Sequence, residues 1–150
     1  MKKDRSIRPF QREDAAIYRA MAMDFYGGDA TLYPMTAEKL RRSMDMALSH
    51  PDRFALHMLV EGEEVAGYMA LTFCFSTEAG GEVCWVEELY LRPGFRSKGW
   101  GKKALGWVEE RYPGMARFRL EVDPANDDAR RLYERLGFVS LSYEQLIKER

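Results

Sequence analysis

The stretch of sequence that decides the fold runs from Glu87 to Gly101 and is EELYLRPGFRSKGWG. Up to Leu91 it continues an apolar run that starts at residue 83, which predicts a β-strand, and Pro93 then predicts a turn. Beyond it, residues 102–112 place apolar side chains at helical spacing. A glycine-rich loop therefore joins a strand to a helix, and it consists of Arg96-Ser97-Lys98-Gly99-Trp100-Gly101.

This loop is typical of a phosphate or pyrophosphate site. Glycines let backbone N–H groups converge on an anion, and the helix N-terminus, Arg96 and Lys98 add positive charge. The spacing lacks the Gly-x-x-x-x-Gly-Lys-Ser/Thr pattern of nucleoside triphosphatases and the third glycine of a dinucleotide fingerprint. The structural alternative is an ordinary glycine turn flanked by solvated cations. If the loop holds an anion, a bulky residue at Gly99 or Gly101 should weaken binding more than folding.

On the N-terminal side of the loop, the pattern predicts one strand, two helices and an antiparallel hairpin. Residues 7–10 form a short apolar segment, and two stretches with apolar residues at helical spacing follow it, separated by Gly27-Gly28. Thr36 is the expected N-cap of the second helix. Residues 54–60 and 65–75 then predict the hairpin, and residues 83–91 predict a third long strand.

On the C-terminal side, the pattern changes to strand, helix, strand, helix, which implies a parallel crossover. Residues 118–122 predict a strand, and a last helix is expected between an N-cap at Asn126 and a stop at Gly137. Residues 139–150 suffice for a final strand and a turn. The predicted fold is a single domain over residues 1–150, of the α/β (α+β mixed sheet) class, in the order β-α-α-β-β-β-α-β-α-β.

Composition excludes several classes of function. The 150 residues carry 23 Lys and Arg against 24 Asp and Glu, so no global basic field attracts nucleic acid or an anionic membrane. Cys74 and Cys84 lie in apolar strand-like runs without a second cysteine pair or a histidine cluster beside them, which argues against a metal site. No signal peptide and no apolar stretch of about 18 residues occurs. We therefore expect a cytoplasmic protein that binds neither nucleic acid, membrane nor metal.

Motifs on both sides of the loop make the interpretation of the loop more specific. Glu87-Glu88-Leu89-Tyr90-Leu91-Arg92-Pro93 leads into it, and Asn126 is followed by Tyr133 and then by Leu136-Gly137-Phe138. Together these residues resemble the GNAT superfamily of N-acetyltransferases. The signature of that superfamily is a strand, a proline turn, an Arg/Gln-x-x-Gly-x-Gly/Ala loop, a helix, a strand, and a helix with Asn and Tyr that ends in Leu-Gly-Phe.

The resemblance implies a GNAT-like acyl-CoA N-acyltransferase fold, in which a splayed mixed sheet holds acetyl-CoA. The pantetheine arm would pair with the backbone of Leu89, Tyr90 and Leu91, and Asn126 and Tyr133 would lie near the arm and its sulfur. The pyrophosphate would rest on the backbone amides of the loop and the start of the helix. The residues implied there are Arg96, Ser97, Lys98, Gly99, Trp100, Gly101 and Lys102. Ser97 replaces a glycine frequent in the family, which is tolerable if its φ is negative.

Two carboxylates are candidates for the general base. Acetyl transfer from a thioester to an amine needs a deprotonated amine, and an aliphatic amine has a pKa of about 10.4, so a carboxylate must accept its proton. Alternation predicts that Glu87 and Glu88 face opposite sides of the sheet unless a bulge shifts the register. We favour Glu87, which matches the acidic position in amine-acetylating relatives, although other members place the base at the position of Trp85. The alternative is that both glutamates belong to a solvated strand edge.

Tyr133 is the candidate proton donor to the departing thiolate. A phenol with a pKa near 10 protonating a thiolate near 8.5 is uphill by about 2 kcal/mol, which a low-dielectric site can offset. Alternatively, Tyr133 is only an aromatic member of the apolar helix face. Asn126 either caps the helix and also contacts the cofactor, or serves solely as an N-cap.

The leading hypothesis is an acetyl-CoA-dependent N-acetyltransferase that acts on a small, cationic amine, because two carboxylates at the cavity wall attract positive charge. A non-catalytic acyl-CoA-binding module on the same fold is the alternative. Phe25, Tyr26 and Tyr33 are candidates for the lining of the acceptor pocket. Because the segment after Phe138 is short for the final hairpin of the family, the pocket is either open or completed by a second subunit in a homodimer.

Overall fold

The structure, a computed structural model, describes residues 3–27 and 33–150. A five-stranded sheet in the order β1-β2-β3-β4-β5 lies between two layers of helices. Its strands are β1 (Arg5–Pro9), β2 (Phe54–Glu61), β3 (Glu64–Ser76), β4 (Gly81–Leu91) and β5 (Arg117–Leu120). The first three pairings are antiparallel and β4 pairs with β5 in parallel. The predicted α+β class and mixed sheet are confirmed.

The described residues form four α-helices: α1 (Ala15–Tyr26) and α2 (Ala37–Ser49) lie between β1 and β2, α3 (Trp100–Arg111) connects β4 to β5, and α4 (Asp127–Arg135) follows β5. The expected caps are present, since Thr36 accepts a hydrogen bond from the backbone of Lys39 and Asn126 accepts one from Ala129. After α4, Gly137 adopts a φ of 96°, the left-handed conformation of a helix stop. The second glycine of the predicted break, Gly28, lies outside the described residues.

Each face of the sheet carries its own core. Helices α1 and α2 pack on one face, where Tyr18, Met58 and Tyr68 are buried, and we call it the α1/α2 face. Helices α3 and α4 pack on the other, where Leu71, Trp100 and Val108 are buried, and we call it the α3/α4 face. Most apolar side chains of β2, β3 and β4 therefore pack in one of the two cores. This packing fixes the position of the strands that carry the candidate site.

The final strand predicted within residues 139–150 is wrong, because no residue of this segment has regular secondary structure. Its apolar side chains stay exposed, for example 86% of Val139 and 91% of Leu146. The adjacent strand β5 has only four residues, so it offers few backbone groups with which a further strand could pair. The segment instead makes side-chain contacts, among them a hydrogen bond of 2.9 Å from the Tyr143 hydroxyl to Glu78.

Candidate active site

Strands β4 and β5 separate in the middle of β4. The last residue of β5, Leu120, pairs with Val86, whereas β4 continues for five more residues to Leu91. Over these residues β4 pairs with β3 on one edge, and no described strand pairs with its other edge. The splay that the resemblance implies is therefore present, and the backbone of Leu89, Tyr90 and Leu91 lies along it.

A β-bulge begins where the strands separate. Ala70 of β3 pairs with Glu88, but the next residue, Leu71, pairs with Val86, so Glu87 is an extra residue in β4. A bulge interrupts the alternation of side chains. Val86 packs in the α3/α4 core, whereas Glu88 reaches Tyr68 in the α1/α2 core. Strict alternation would have put these two side chains on the same face.

The prediction of opposite faces excepted a bulge that shifts the register, and this bulge is that exception, because it brings both carboxylates to the α1/α2 face. Glu87 accepts a hydrogen bond of 3.0 Å from Thr72, which lines a groove beside α2. Glu88 accepts one of 2.6 Å from Tyr68 and another from Tyr26 on α1. The negative charge of Glu87 also contributes to raising the pKa of Glu88. The two candidate bases are thus neighbours in different environments.

Glu88 is the buried member of the pair, with 7% of its surface exposed. Burial disfavours the charged carboxylate and raises the pKa of Glu88 above its ordinary value, while the hydrogen bonds from Tyr68 and Tyr26 act in the opposite direction. Glu87 is exposed. Among the described residues, its carboxylate accepts one hydrogen bond, from Thr72 at Oε1, and Oε2 has no protein donor. Glu87 is therefore the carboxylate that an incoming amine can reach.

The glycine-rich loop leads directly into α3. The first helical hydrogen bond joins the N–H of Lys103 to the carbonyl of Gly99 at 3.2 Å, which leaves the N–H groups of Trp100, Gly101 and Lys102 without helical acceptors. Gly99 has a φ of 86° and Ser97 a φ of 60°. The sequence predicts that Ser97 is tolerated here if its φ is negative. Its φ is positive, so the backbone of Ser97 has a conformation that favours glycine.

Contacts with β1, β4 and α1 hold the loop in place. Arg5 donates a hydrogen bond of 2.8 Å to the carbonyl of Lys98 and lies over the ring of Trp100. Arg96 donates to the carbonyl of Leu91 at 2.7 Å and lies 3.7 Å from Asp24. The cationic side chain of Arg96 is therefore directed to α1, where Asp24 also accepts a hydrogen bond from Tyr90.

One loop glycine has a packing role that the sequence analysis did not predict. A Cβ atom at Gly101 would lie 2.7 Å from Cδ2 of Leu132 on α4, so a bulky residue there would push on the contact between α3 and α4. A Cβ atom at Gly99 would meet only Nη1 of Arg5, at 3.7 Å. A bulky residue at Gly101 should therefore disturb the packing of the two helices as well as binding, contrary to the expectation from the sequence.

Asn126 is the N-cap of α4, and Tyr133 lies within that helix. Asn126 uses Oδ1 to cap the helix at 3.1 Å from the N–H of Ala129, and its amide nitrogen has no recorded partner among the described residues. Tyr133 is partly buried, packs edge-on against Phe138, and its hydroxyl has no hydrogen bond to any described residue. Burial raises the pKa of Tyr133, which keeps the phenol protonated.

A cavity of about 620 Å³ lies between β5, α4 and the C-terminal segment, and Tyr133 lines it. It also contains Trp85 and Arg119, whose guanidinium lies 4.0 Å from the centroid of the indole. Trp85, the alternative base position, therefore contributes an aromatic side chain to the lining of this cavity and no carboxylate.

The sequence analysis missed three residues of the site: Tyr68, Thr72 and Asp24. Each bonds a residue of β4 or the loop from another element. Tyr68 and Thr72 lie in an apolar strand that predicts only core packing, and no local pattern distinguishes them. Of the predicted lining residues, Tyr26 contacts Glu88 and Phe25 packs against Tyr90.

The described residues contain no cluster of three or more His, Cys, Asp or Glu side chains suited to a metal ion. Among the same residues, no helix has the length and apolar character needed to cross a membrane.

Comparison with known proteins gives a consistent result. The sequence profile described as "Acetyltransferase (GNAT) family" matches residues 15–138. A thialysine N-epsilon-acetyltransferase of Caenorhabditis elegans is 31% identical over 109 residues, which are 71% of this chain and 64% of that relative. The match thus spans less than two thirds of the relative's length.

Solved structures share the fold at low identity. A possible acetyltransferase from Clostridium difficile 630 superposes with a TM-score of 0.81 at 17% identity, covering 97% of both chains. An aminoglycoside N-acetyltransferase in complex with CoA superposes with a TM-score of 0.79 at 16% identity, covering 100% of this chain and 97% of that one.

Proposed function

Because the chain belongs to the acetyltransferase (GNAT) family, we propose that it transfers the acetyl group of acetyl-CoA to a primary amine of a small acceptor by direct attack. The observation that carries this proposal is the bulge at Glu87, which leaves an exposed carboxylate where β4 and β5 separate, at the start of the part of β4 that leads into the loop. The relative from C. elegans is named for acetylation of the terminal amine of thialysine, which supports an amine acceptor.

Acetyl-CoA supplies an activated acetyl thioester, and the residues of this chain fit its binding. The backbone edge of Leu89, Tyr90 and Leu91 along the splay is available to the amides of a pantetheine arm. The N–H groups at the start of α3 and the left-handed backbone of Ser97 and Gly99 suit a pyrophosphate. The loop runs from Arg96 to Lys102, and Asn126 offers its amide nitrogen from α4. No metal is required.

Glu87 accepts the proton of the attacking amine, directly or through water. At pH 7 only roughly one aliphatic amine in 2,500 is neutral if its pKa is about 10.4, so a base contributes substantially. Glu88 is a positioning residue, because its carboxylate is already bonded by Tyr68 and Tyr26. Its buried carboxylate fixes these two rings behind Glu87.

Tyr133 donates a proton to the departing thiolate. Its hydroxyl has no competing acceptor among the described residues, and burial keeps it protonated. The same low-dielectric surroundings raise the pKa of the departing thiolate as well as that of the phenol, so the thiolate becomes a stronger proton acceptor while the phenol becomes a weaker donor.

Exposed apolar side chains of the C-terminal segment support a homodimer. Leu146 is 91% exposed and Ile147 is 65% exposed, which is unusual for a monomer surface. Light scattering at micromolar concentration should give twice the monomer mass, and Leu146→Glu should reduce it; a monomer for the unmodified chain would contradict this part of the proposal.

The experiment that tests the catalytic function is a thiol-release assay over polyamines, amino acids, aminoglycosides and peptide amines, with the acetylated product verified by mass spectrometry. We expect stoichiometric CoA and N-acetyl product with at least one class of amine. Tight acetyl-CoA binding by calorimetry without transfer to any amine would instead support the non-catalytic acyl-CoA-binding module.

A further inference from the structure

A second, shallower groove adjoins the site on the α1/α2 face. It has a volume of about 500 Å³ and lies between α2 and the strands β2 and β3. Thr72 lines it and donates the hydrogen bond of 3.0 Å to Glu87, so the groove begins beside that carboxylate. From Thr72 it extends across Phe54, the cross-strand partner of Thr72, toward Arg53 and Arg42.

The far end of this groove is positively charged. Arg53 is exposed, and its side chain has no hydrogen bond or ion pair to any described residue. Arg42 lies 3.3 Å from Glu38, but Glu38 is shared with Arg41 at 2.6 Å. None of the described residues that line the groove is Asp or Glu. Two guanidinium groups therefore line the groove, and among the described residues their only ion pair with a carboxylate is that of Arg42 with the shared Glu38.

We propose that this groove binds the carboxylate of the acceptor, so that the substrate is an amino acid with a terminal amine on its side chain. This inference rests on the proposed function and specifies its acceptor. Arg53, with Arg42, would bind the carboxylate through charge-assisted hydrogen bonds, which a planar guanidinium forms in pairs. The terminal amine would then lie at Glu87, the negatively charged end of the same surface.

The dimensions agree with an acceptor of the size of lysine. Its terminal nitrogen and its carboxylate are about 7 Å apart when extended, at roughly 3.5 Å for every three bonds. Thr72 and Phe54 lie on neighbouring strands, which are about 4.8 Å apart, and Arg53 directly precedes Phe54. The arginine side chain covers the remaining distance, so one molecule can contact both ends.

The test compares acceptors that differ only in the carboxylate: L-lysine, lysine amide and cadaverine, which is lysine without its carboxylate. We expect kcat/KM to be at least tenfold higher for lysine than for the other two. Arg53→Gln should raise the KM for lysine by about 10- to 100-fold, as expected when a charged hydrogen bond is lost, and should not raise the KM for cadaverine, which has no carboxylate to lose. Arg42→Gln should have a smaller effect in the same direction.

Lys39→Gln is the matched control, because Lys39 is a cation on the same helix that donates a hydrogen bond to the carbonyl of Pro34 and does not line the groove. Its kinetics with lysine should equal those of the unmodified enzyme. Equal kcat/KM for lysine and cadaverine, or an Arg53→Gln defect that is the same for both, would overturn the groove assignment and leave the proposed function intact. Absence of transfer to every amine would overturn the proposed function, and this inference with it.

Discussion

The hydroxyl of Tyr68 donates a hydrogen bond of 2.6 Å to Oε1 of Glu88, in the core between the sheet and α1. The carboxylate is buried one residue after the bulge that exposes Glu87. Two adjacent glutamates therefore differ in what they can do. One is enclosed by tyrosines and bears a raised pKa, and the other is accessible beside the splay.

The first prediction concerns stability. The folded pKa of Glu88 is raised by burial, so between the ordinary pKa of about 4.3 and the folded value the native state binds more protons than the unfolded state. Stability therefore falls as the pH rises through this window. Glu88→Gln removes the charge and keeps the shape, so its Tm should exceed that of the unmodified protein at pH 8 and approach it near pH 4.

Thermal unfolding from pH 4 to pH 8 measures this difference. Tyr68→Phe provides a control with the opposite sign, because it leaves the buried carboxylate without one donor and should cost about 1–3 kcal/mol. A Glu88→Gln variant whose Tm is lower than that of the unmodified protein at pH 8 would show that the charged form of Glu88 is favoured in the fold.

The second prediction concerns the base. Glu87→Gln should lower kcat/KM at pH 7 by about 10² to 10⁴, because the amine must lose its proton without help. The loss should shrink above pH 9 as the free amine becomes abundant, and acetyl-CoA affinity should stay unchanged. Glu82→Gln, an exposed position on the same strand, is the control and should retain full activity. A comparable pH-dependent loss in Glu88→Gln alone would transfer the role of base to Glu88.

The sequence predicted elements well where the pattern is local. Caps such as Thr36 and Asn126 depend on a few neighbouring residues, and both are confirmed. The bulge at Glu87 could not be predicted, because it depends on the register between β3 and β4. The prediction of a final strand was wrong for a related reason. The alternation of Val139 and Leu141 suits a strand, but a strand also needs a partner strand with enough free backbone groups.

The third prediction concerns the loop backbone. Ser97 has a φ of 60°, a conformation that costs a non-glycine residue about 1–2 kcal/mol, whereas glycine loses more entropy on folding. Ser97→Gly should therefore keep or raise stability, by about 1 kcal/mol at most, and preserve acetyl-CoA binding. Gly99→Ala, at a φ of 86°, should lower both. Denaturant unfolding and calorimetry measure the two effects, and a Ser97→Gly variant with weakened binding would assign a role to the serine side chain.

The last prediction concerns the proton donor. Tyr133→Phe should lower the single-turnover rate of acetyl transfer by about 10² to 10⁴, the usual contribution of a general acid. Its Tm should not change, because the hydroxyl has no hydrogen bond to any described residue and the ring keeps its contact with Phe138. Tyr143→Phe is a matched control: Tyr143 lines the same cavity, but its hydroxyl donates to Glu78 at the surface, so this variant should keep its rate and change its Tm little. An unchanged single-turnover rate in Tyr133→Phe would remove this residue from the mechanism and leave it as part of the apolar face of α4.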